Sequence, residues 1–364
     1  MRANDVRVTR RTIVRFLGLG AASLALGACG GASPAAQPAT GAAPAGQREG
    51  ASGQRFTMKI GTATINDAQH EWCKRYAERL QRRTNGQIAA EVYPASQLGS
   101  IPRMIEGVQL GTIEAWMGPP EFAVGLEPRL MVPGMPGLFR DLDEAYRVIN
   151  DPAVLDHFLA LTEPKGIKGV ALIIYGPVVV FDRIPIRTPD DMRGRKYRIF
   201  AAPTEIETMN AFGATGVPMT LGEVPTALST GTVDGAQSGI TVGDTFKLYD
   251  LVKYATETHH ALVTSFGGVS KTWFDRLPPD LQRAVVEEGR ALHAELLEFQ
   301  KAEIAKASQT WNQQTGGGLI QLSEAERDVF RARLANVPEV VLQQKPEIRE
   351  TLEMFRGKVR QLAG

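Results

Sequence analysis

The chain has 364 residues, 43% of them hydrophobic and 22% charged, with a formal net charge of +1. That length suffices for one large domain or two lobes with cores of their own, and that charge offers no basic field to gather nucleic acid. Two cysteines, Cys29 and Cys73, and five histidines without an HExxH pattern or zinc-like spacing give no support to a disulfide framework, a metal centre or a cofactor.

The N-terminus sets Arg10 and Arg11 before a moderately apolar run, 16–28, too short and too rich in Gly and Ala to span a bilayer comfortably. Thr9-Arg10-Arg11-Thr12-Ile13-Val14-Arg15 resembles the twin-arginine export motif. Leu26-Gly27-Ala28-Cys29 resembles a bacterial lipobox, which implies lipidation of Cys29 and a membrane anchor; the plainer alternative is an ordinary secretory signal with an incidental cysteine. Residues 1–29 read as a signal peptide of an exported protein, located in the periplasm or cell envelope. Residues 30–55, built of Gly, Ala, Pro, Ser and Gln without apolar periodicity, read as a flexible tether.

From residue 56 the pattern alternates. Strands are expected at 56–64, 87–95 and 112–118, with an amphipathic helix over 67–83 (Trp72, Tyr76 and Leu80 on one stripe) and a short helix over 101–110. Residues 141–164 read as helix interrupted near Asn150-Asp151-Pro152, and 167–176 as a long apolar strand. A second set follows: strand 197–201, helices at 205–212 and 222–229, and strands 232–236 and 261–270. A single long helix is expected from about 277 to 314, over 50 Å at about 1.5 Å per residue, so it should cross between lobes. Two closing helices are expected at 323–335 and 345–361. The fold class expected is α/β with a largely parallel sheet, in a two-lobed periplasmic-binding-protein-like arrangement with hinge strands and a long helix spanning both lobes. Lobe 1 is placed at about 56–175 plus part of 265–335, lobe 2 at about 176–264, and 336–364 as a helical extension packing on the lobes. In such folds ligands bind at the carboxyl ends of strands, and the cleft closes about a hinge.

Arg198 stands in a short strand-like run, Gly194-Arg195-Lys196-Tyr197-Arg198-Ile199-Phe200. A buried guanidinium is costly unless paired, so either an internal acid or an external anion should meet it. Glu223 and Asp234 are possible internal partners, although capping and turn roles explain both more simply. Trp116, Glu121 and Phe122 follow a first-lobe strand where a cleft wall would lie, with core packing the alternative for Trp116. Asn66 and His70 lie at the first strand–helix turn, where helix amides could meet an anion, although Asp67 is the natural N-cap. His259 and His260 read as solvated or satisfied histidines, and Cys73 as a buried or half-buried thiol.

Several stretches together resemble one family: EVYPASQLGS (91–100), PGLFRD (136–141), PIRTPDDMRGRKYRI (185–199), GATGVPMTLGEVPTALSTGTVDGAQ (213–237) and WFDRLPPDLQ (273–282). They are similar to the DctP-type solute-binding proteins of TRAP (tripartite ATP-independent periplasmic) transporters across nearly all of 56–335. The resemblance implies capture of a small organic acid, with Arg198 gripping its carboxylate, and delivery to TRAP permease subunits driven by an ion gradient. A planar guanidinium suits that task because it offers two parallel hydrogen bonds.

The chain also departs from the family pattern. Tyr175-Gly176-Pro177-Val178-Val179-Val180 lacks a second arginine that many members carry, and Val178 is kept as a candidate contact there. Ala236-Gln237-Ser238-Gly239 stands where Gln-Glu-Asn-Pro is frequent, so Gln237 or Ser238 is expected to supply a neutral hydrogen bond. These departures suggest a ligand with one carboxylate and an apolar remainder. An exported hydrolase is disfavoured by the lack of a G-x-S-x-G elbow. A sensor module presenting the same cleft to a membrane receptor is the alternative function.

Overall fold

The computed structural model describes residues 54–363. The signal peptide, Cys29 and nearly all of the tether lie outside the described residues. Strands β1 (Phe56–Thr62), β2 (Ile88–Tyr93), β3 (Ala115–Gly118) and β4 (Ile167–Pro177) belong to a first sheet. Strands β5 (Val179–Asp182), β6 (Lys196–Ile199), β7 (Thr215–Pro218), β8 (Gly235–Ser238) and β9 (Tyr254–Glu257) belong to a second. The chain then returns to the first sheet as β10 (Leu262–Ser270) and ends in the second as β11 (Leu319–Gln321). The first sheet runs β2-β1-β3-β10-β4 and the second β11-β9-β5-β8-β6-β7.

Neither sheet is purely parallel. β1 pairs parallel with β2 and β3, as β6 does with β7 and β8, and these strands are joined by helical crossovers. β10 runs antiparallel to β3 and β4, and β5 antiparallel to β8 and β9. The antiparallel strands are those that enter one sheet from the other, so the crossing reverses their sense. The expectation of a largely parallel sheet missed this.

Two crossings lie side by side and form the hinge. β4 leaves the first sheet through Pro177 and Val178 and becomes β5; β9 leaves the second through 258–261 and becomes β10. The crossings are stitched together by Val178 N–H donating to the Ala261 carbonyl (3.0 Å) and His259 N–H to the Val178 carbonyl (3.3 Å). Gly176 has φ 148°, in a region few side chains tolerate, and a Cβ there would meet Ile304 Cδ1 at 3.1 Å.

The expected long helix is two helices, Pro279–Arg290 and His293–Thr315, broken at Ala291–Leu292. The second touches β4 and the helix Ala68–Arg83 on one side, and the helix Ile240–Thr245 and β11 on the other, so it spans both lobes. The Gln300 side chain on it donates to the Tyr175 carbonyl beside the hinge. The helix Ala68–Arg83 buries Trp72, Tyr76 and Leu80, the stripe read from periodicity, together with Cys73. Trp72 stacks on Tyr76 (centroids 4.4 Å apart), and each donates to a carbonyl of the helix Pro279–Arg290 (Gly289 and Val285). The expected helix 345–361 begins at Arg349, and a further helix, Val337–Gln344, packs against Pro203–Ala211 of the second lobe. The helix Arg349–Ala363 packs against Leu142–Ile149 of the first.

Candidate functional site

β6 places the site. Side chains alternate across a strand, so Arg195 and Tyr197 face one way and Arg198 the other. On the first side the fully buried Asp182 of β5 accepts from Arg195 Nη2 (2.6 Å) and Nε (2.9 Å) and from the Tyr197 hydroxyl (2.6 Å). That arginine is consumed by its own protein. Arg198, equally buried, is not: its Nε donates to the Met219 carbonyl (2.9 Å) and Nη1 to the Gln237 carbonyl (3.1 Å), while Nη2 has no hydrogen-bond partner among the described residues. The guanidinium lies 4.7 Å over the Phe200 ring. Burial pulls its pKa down to about 10, with Glu205 and Glu223 acting in the opposite sense, so it stays charged at neutral pH.

The groups around it are buried and polar. Glu205, in the first turn of the helix Pro203–Ala211, accepts a hydrogen bond from the Gln237 side chain, whose Oε1 has no partner among the described residues. Burial lifts Glu205 to about pKa 8 against the pull of Arg198. Glu121 comes from the 3-10 turn Pro120–Ala123 that follows β3 of the other lobe. Burial lifts it to about pKa 8 too, and the charge of Glu205 adds to the shift. Its Oε2 has no partner among the described residues, and neither do the Trp116 indole N–H nor the Thr204 hydroxyl. Gly134 leaves room for this carboxyl, since a Cβ there would run into Glu121 Oε1. The lobes meet here: Phe122 packs edge-on against Phe200 with centroids 5.9 Å apart. Buried polar groups are normally paired, and most side-chain groups without partners in this part of the molecule lie at the carboxyl ends of β3 and β6.

The other sequence candidates divide. Gln237 and Ser238 end β8, and both are buried; Gln237 reaches Arg198 through its carbonyl and Glu205 through its amide. Val178 is buried in the hinge, with its backbone N–H and carbonyl both engaged. Asn66 is exposed in a left-handed conformation (φ 57°), and its N–H donates to His70 Nδ1 (3.1 Å). The His70 N–H donates to Asp67 Oδ1 (3.0 Å), so Asp67 caps the first helix and takes an amide considered for an anion. Asp67 also accepts from the Tyr175 hydroxyl (2.8 Å). Glu223 caps through Thr220, and Asp234 accepts from the Lys196 N–H, as the simpler reading had it. Glu205 was missed. A Glu two residues after Pro203 in a first turn looks like ordinary helix initiation, and only the folded structure brings it to the Gln237 side chain beside Arg198.

A two-lobed α/β body with buried, unpartnered hydrogen-bonding side chains at its strand ends is the architecture of a solute-binding protein. Residues 61–344 match the family model described as bacterial extracellular solute-binding protein, family 7 (DctP), and the chain belongs to that family, the periplasmic solute-binding proteins of TRAP transporters. It is 32% identical over 283 residues, 77% of this chain and 85% of the relative, to the 2,3-diketo-L-gulonate-binding periplasmic protein YiaO of Escherichia coli K12. Among solved structures it resembles a TRAP solute-binding protein from Xanthobacter autotrophicus Py2 with bound β-D-galacturonate, at TM-score 0.76 and 24% identity, covering 82% of this chain and 99% of that one. The ectoine-binding protein of the TeaABC TRAP transporter of Halomonas elongata aligns at TM-score 0.79 and 22% identity, covering 84% of this chain and 100% of that one. The two structures speak to the fold alone.

Proposed function

We propose that this protein captures an organic acid with one carboxylate and a hydroxylated remainder, grips the carboxylate with Arg198, and delivers the acid to an ion-gradient-driven TRAP permease. It binds without turnover. The observation that carries this reading is the unpartnered Nη2 of a fully buried guanidinium. A carboxylate reaching it would supply the hydrogen bonds and the charge that the site lacks. The free polar atoms of Glu121, Gln237, Thr204 and Trp116 favour oxygen-rich ligand groups over the apolar remainder expected from sequence. The 2,3-diketo-L-gulonate and galacturonate named for its relatives have this chemistry.

Export by the twin-arginine route and anchoring through Cys29 belong to the same reading and rest on the N-terminal motifs. Intact mass of the mature N-terminus, with and without Cys29→Ser, tests the anchor. Calorimetric titration of the purified protein with D-galacturonate, 2,3-diketo-L-gulonate and succinate tests the ligand class. Micromolar or tighter binding of a hydroxylated monocarboxylate is expected, and preference for succinate overturns the reading.

A further inference from the structure

Arg198, Glu205 and Glu121 are all buried at the contact between the lobes: Gln237 joins Arg198 to Glu205, the Glu205 charge acts on Glu121, and Phe122, next to Glu121, packs on the Phe200 ring that lies under Arg198. Fully ionised they sum to one negative charge. An incoming carboxylate would set three negative charges against one guanidinium, a net charge of minus two, without water to screen them. A cleft of this composition accepts an anion only if one of its own acids is neutral. We infer that the site binds a proton together with its organic anion, held between the carboxyl groups of Glu121 and Glu205 on the two sides of the lobe contact. The inference rests on the acid-binding reading above.

The local contacts fit this role. Glu121 Oε2 is buried and has no hydrogen-bond partner among the described residues, so as a carboxyl O–H it can donate to a ligand oxygen. Glu205 holds Gln237 in place and is the acid whose charge bears most on Arg198. When both acids are protonated, Arg198 alone sets the field and the site is complementary to a carboxylate. When Glu205 ionises, it becomes a counter-ion to Arg198 and competes with the ligand. Burial sets that change near pH 8 for both acids, so the linkage emerges above neutrality and not below it.

The other charged groups on the packed elements do not supply this behaviour. Behind Glu121, the turn Pro128–Gly134 brings Arg129, ion-paired with Glu127; the helix Ile101–Leu110 brings Arg103 and Glu106, which pair with each other; β10 brings none. Around Glu205, β6 brings Lys196, which is exposed, and Tyr197, which is turned to Asp182. On its own helix Glu207 accepts from Asn210 and Gln344, and on the helix Val337–Gln344 Glu339 pairs with Arg356. On the helix Glu324–Leu334, Arg327 and Arg331 pair with Glu324, Arg331 also with Asp328, and Arg333 with Asp190; Glu326 caps through Ser323. Glu223, facing Arg198, is exposed and held below the usual carboxylate range by its bonds to Thr220. Arg198 itself titrates higher, near 10.

The test is calorimetry of the full chain with D-galacturonate, D-glucuronate and ectoine, in buffers of different ionisation enthalpy, from pH 7 to 9. Uronate affinity should be nearly flat around pH 7 and fall towards tenfold per unit by pH 9, with proton uptake rising towards one per ligand. Glu121→Gln should lower the uptake, and in Glu121→Gln/Glu205→Gln the uptake should vanish and the fall of uronate affinity from pH 7 to 9 should flatten, whatever the affinity at pH 7. Uronate binding with no proton uptake at any pH overturns the inference and leaves the proposed function standing. Binding of zwitterionic ectoine alone, without uptake, overturns both, because the ligand would bring its own positive charge. If none of the three binds, the ligand class falls, and infrared spectroscopy still decides the carboxyl pair. A protonated-carboxyl band at pH 7 that is lost in the double variant supports the pair; its absence from the wild type refutes it.

Discussion

Replacing Arg198 with Ala separates a ligand-gripping arginine from a structural one. The side chain is fully buried and makes two hydrogen bonds, to the Met219 and Gln237 carbonyls. Each bond from a charged donor contributes about 1.5–3 kcal/mol to the fold. Burying the guanidinium without an ion pair costs several kcal/mol, of similar size and opposite sign. The two terms nearly offset, so the unfolding midpoint should move by less than about 4 °C. The ligand experiences no such offset. Losing one member of a buried charge pair weakens binding by about 2–5 kcal/mol, roughly 30- to 4,000-fold. Calorimetry for affinity and scanning fluorimetry for stability, on the same preparation, read the two effects. Affinity within twofold of wild type removes Arg198 from the site. A large loss of stability that accounts for the loss of binding would make it a structural arginine.

Asp182→Asn removes the acid that holds Arg195 and Tyr197 behind β6, and urea unfolding should show a loss of about 3–5 kcal/mol, because Arg195 would remain half-buried and unpaired. Tyr175→Phe removes the hydroxyl that donates to buried Asp67 and should cost about 1–3 kcal/mol at pH 7. Burial raises the Asp67 pKa in the folded state, so its ionised form is the disfavoured one there and protonation relieves it. The Tyr175→Phe deficit should therefore shrink as pH falls through the Asp67 pKa, which urea titrations over a pH series would reveal; a deficit constant across the series would refute the coupling. Gly176→Ala forces a side chain onto φ 148° and against Ile304, so thermal unfolding should show a loss of about 1–3 kcal/mol, and no change would mean that the hinge relaxes freely.

Much of this protein was legible before any coordinates, and the reason is periodicity. The helix Ala68–Arg83 repeats its apolar residues every three to four positions, and it buries Trp72, Tyr76 and Leu80 as that pattern demands. β4 is a long apolar run because both its faces are covered. The short strands β5, β7, β9 and β11 are not legible in the sequence, because three or four residues carry too little alternation to separate them from loops. The break at Ala291–Leu292 was also missed, since neither residue is a helix breaker and the turn is imposed by what the two helices pack against.

The sequence by itself determined the class of protein, the order of its elements and the presence of Arg198 on a short strand. A motif of consecutive residues carries that much, because strand alternation and turn chemistry are local. Only the tertiary structure decided which of two neighbouring arginines is free. Arg195 and Arg198 look alike in the chain, yet the antiparallel pairing of β5 with β8 brings Asp182 under one, while among the described residues no acid lies within ion-pair distance of the other. It also decided that Glu121 and Glu205, 84 positions apart in the sequence, are both buried at the contact between the lobes, where the charge of Glu205 acts on Glu121. Burial and charge at a cleft are set by contacts between distant segments, and no local pattern encodes them.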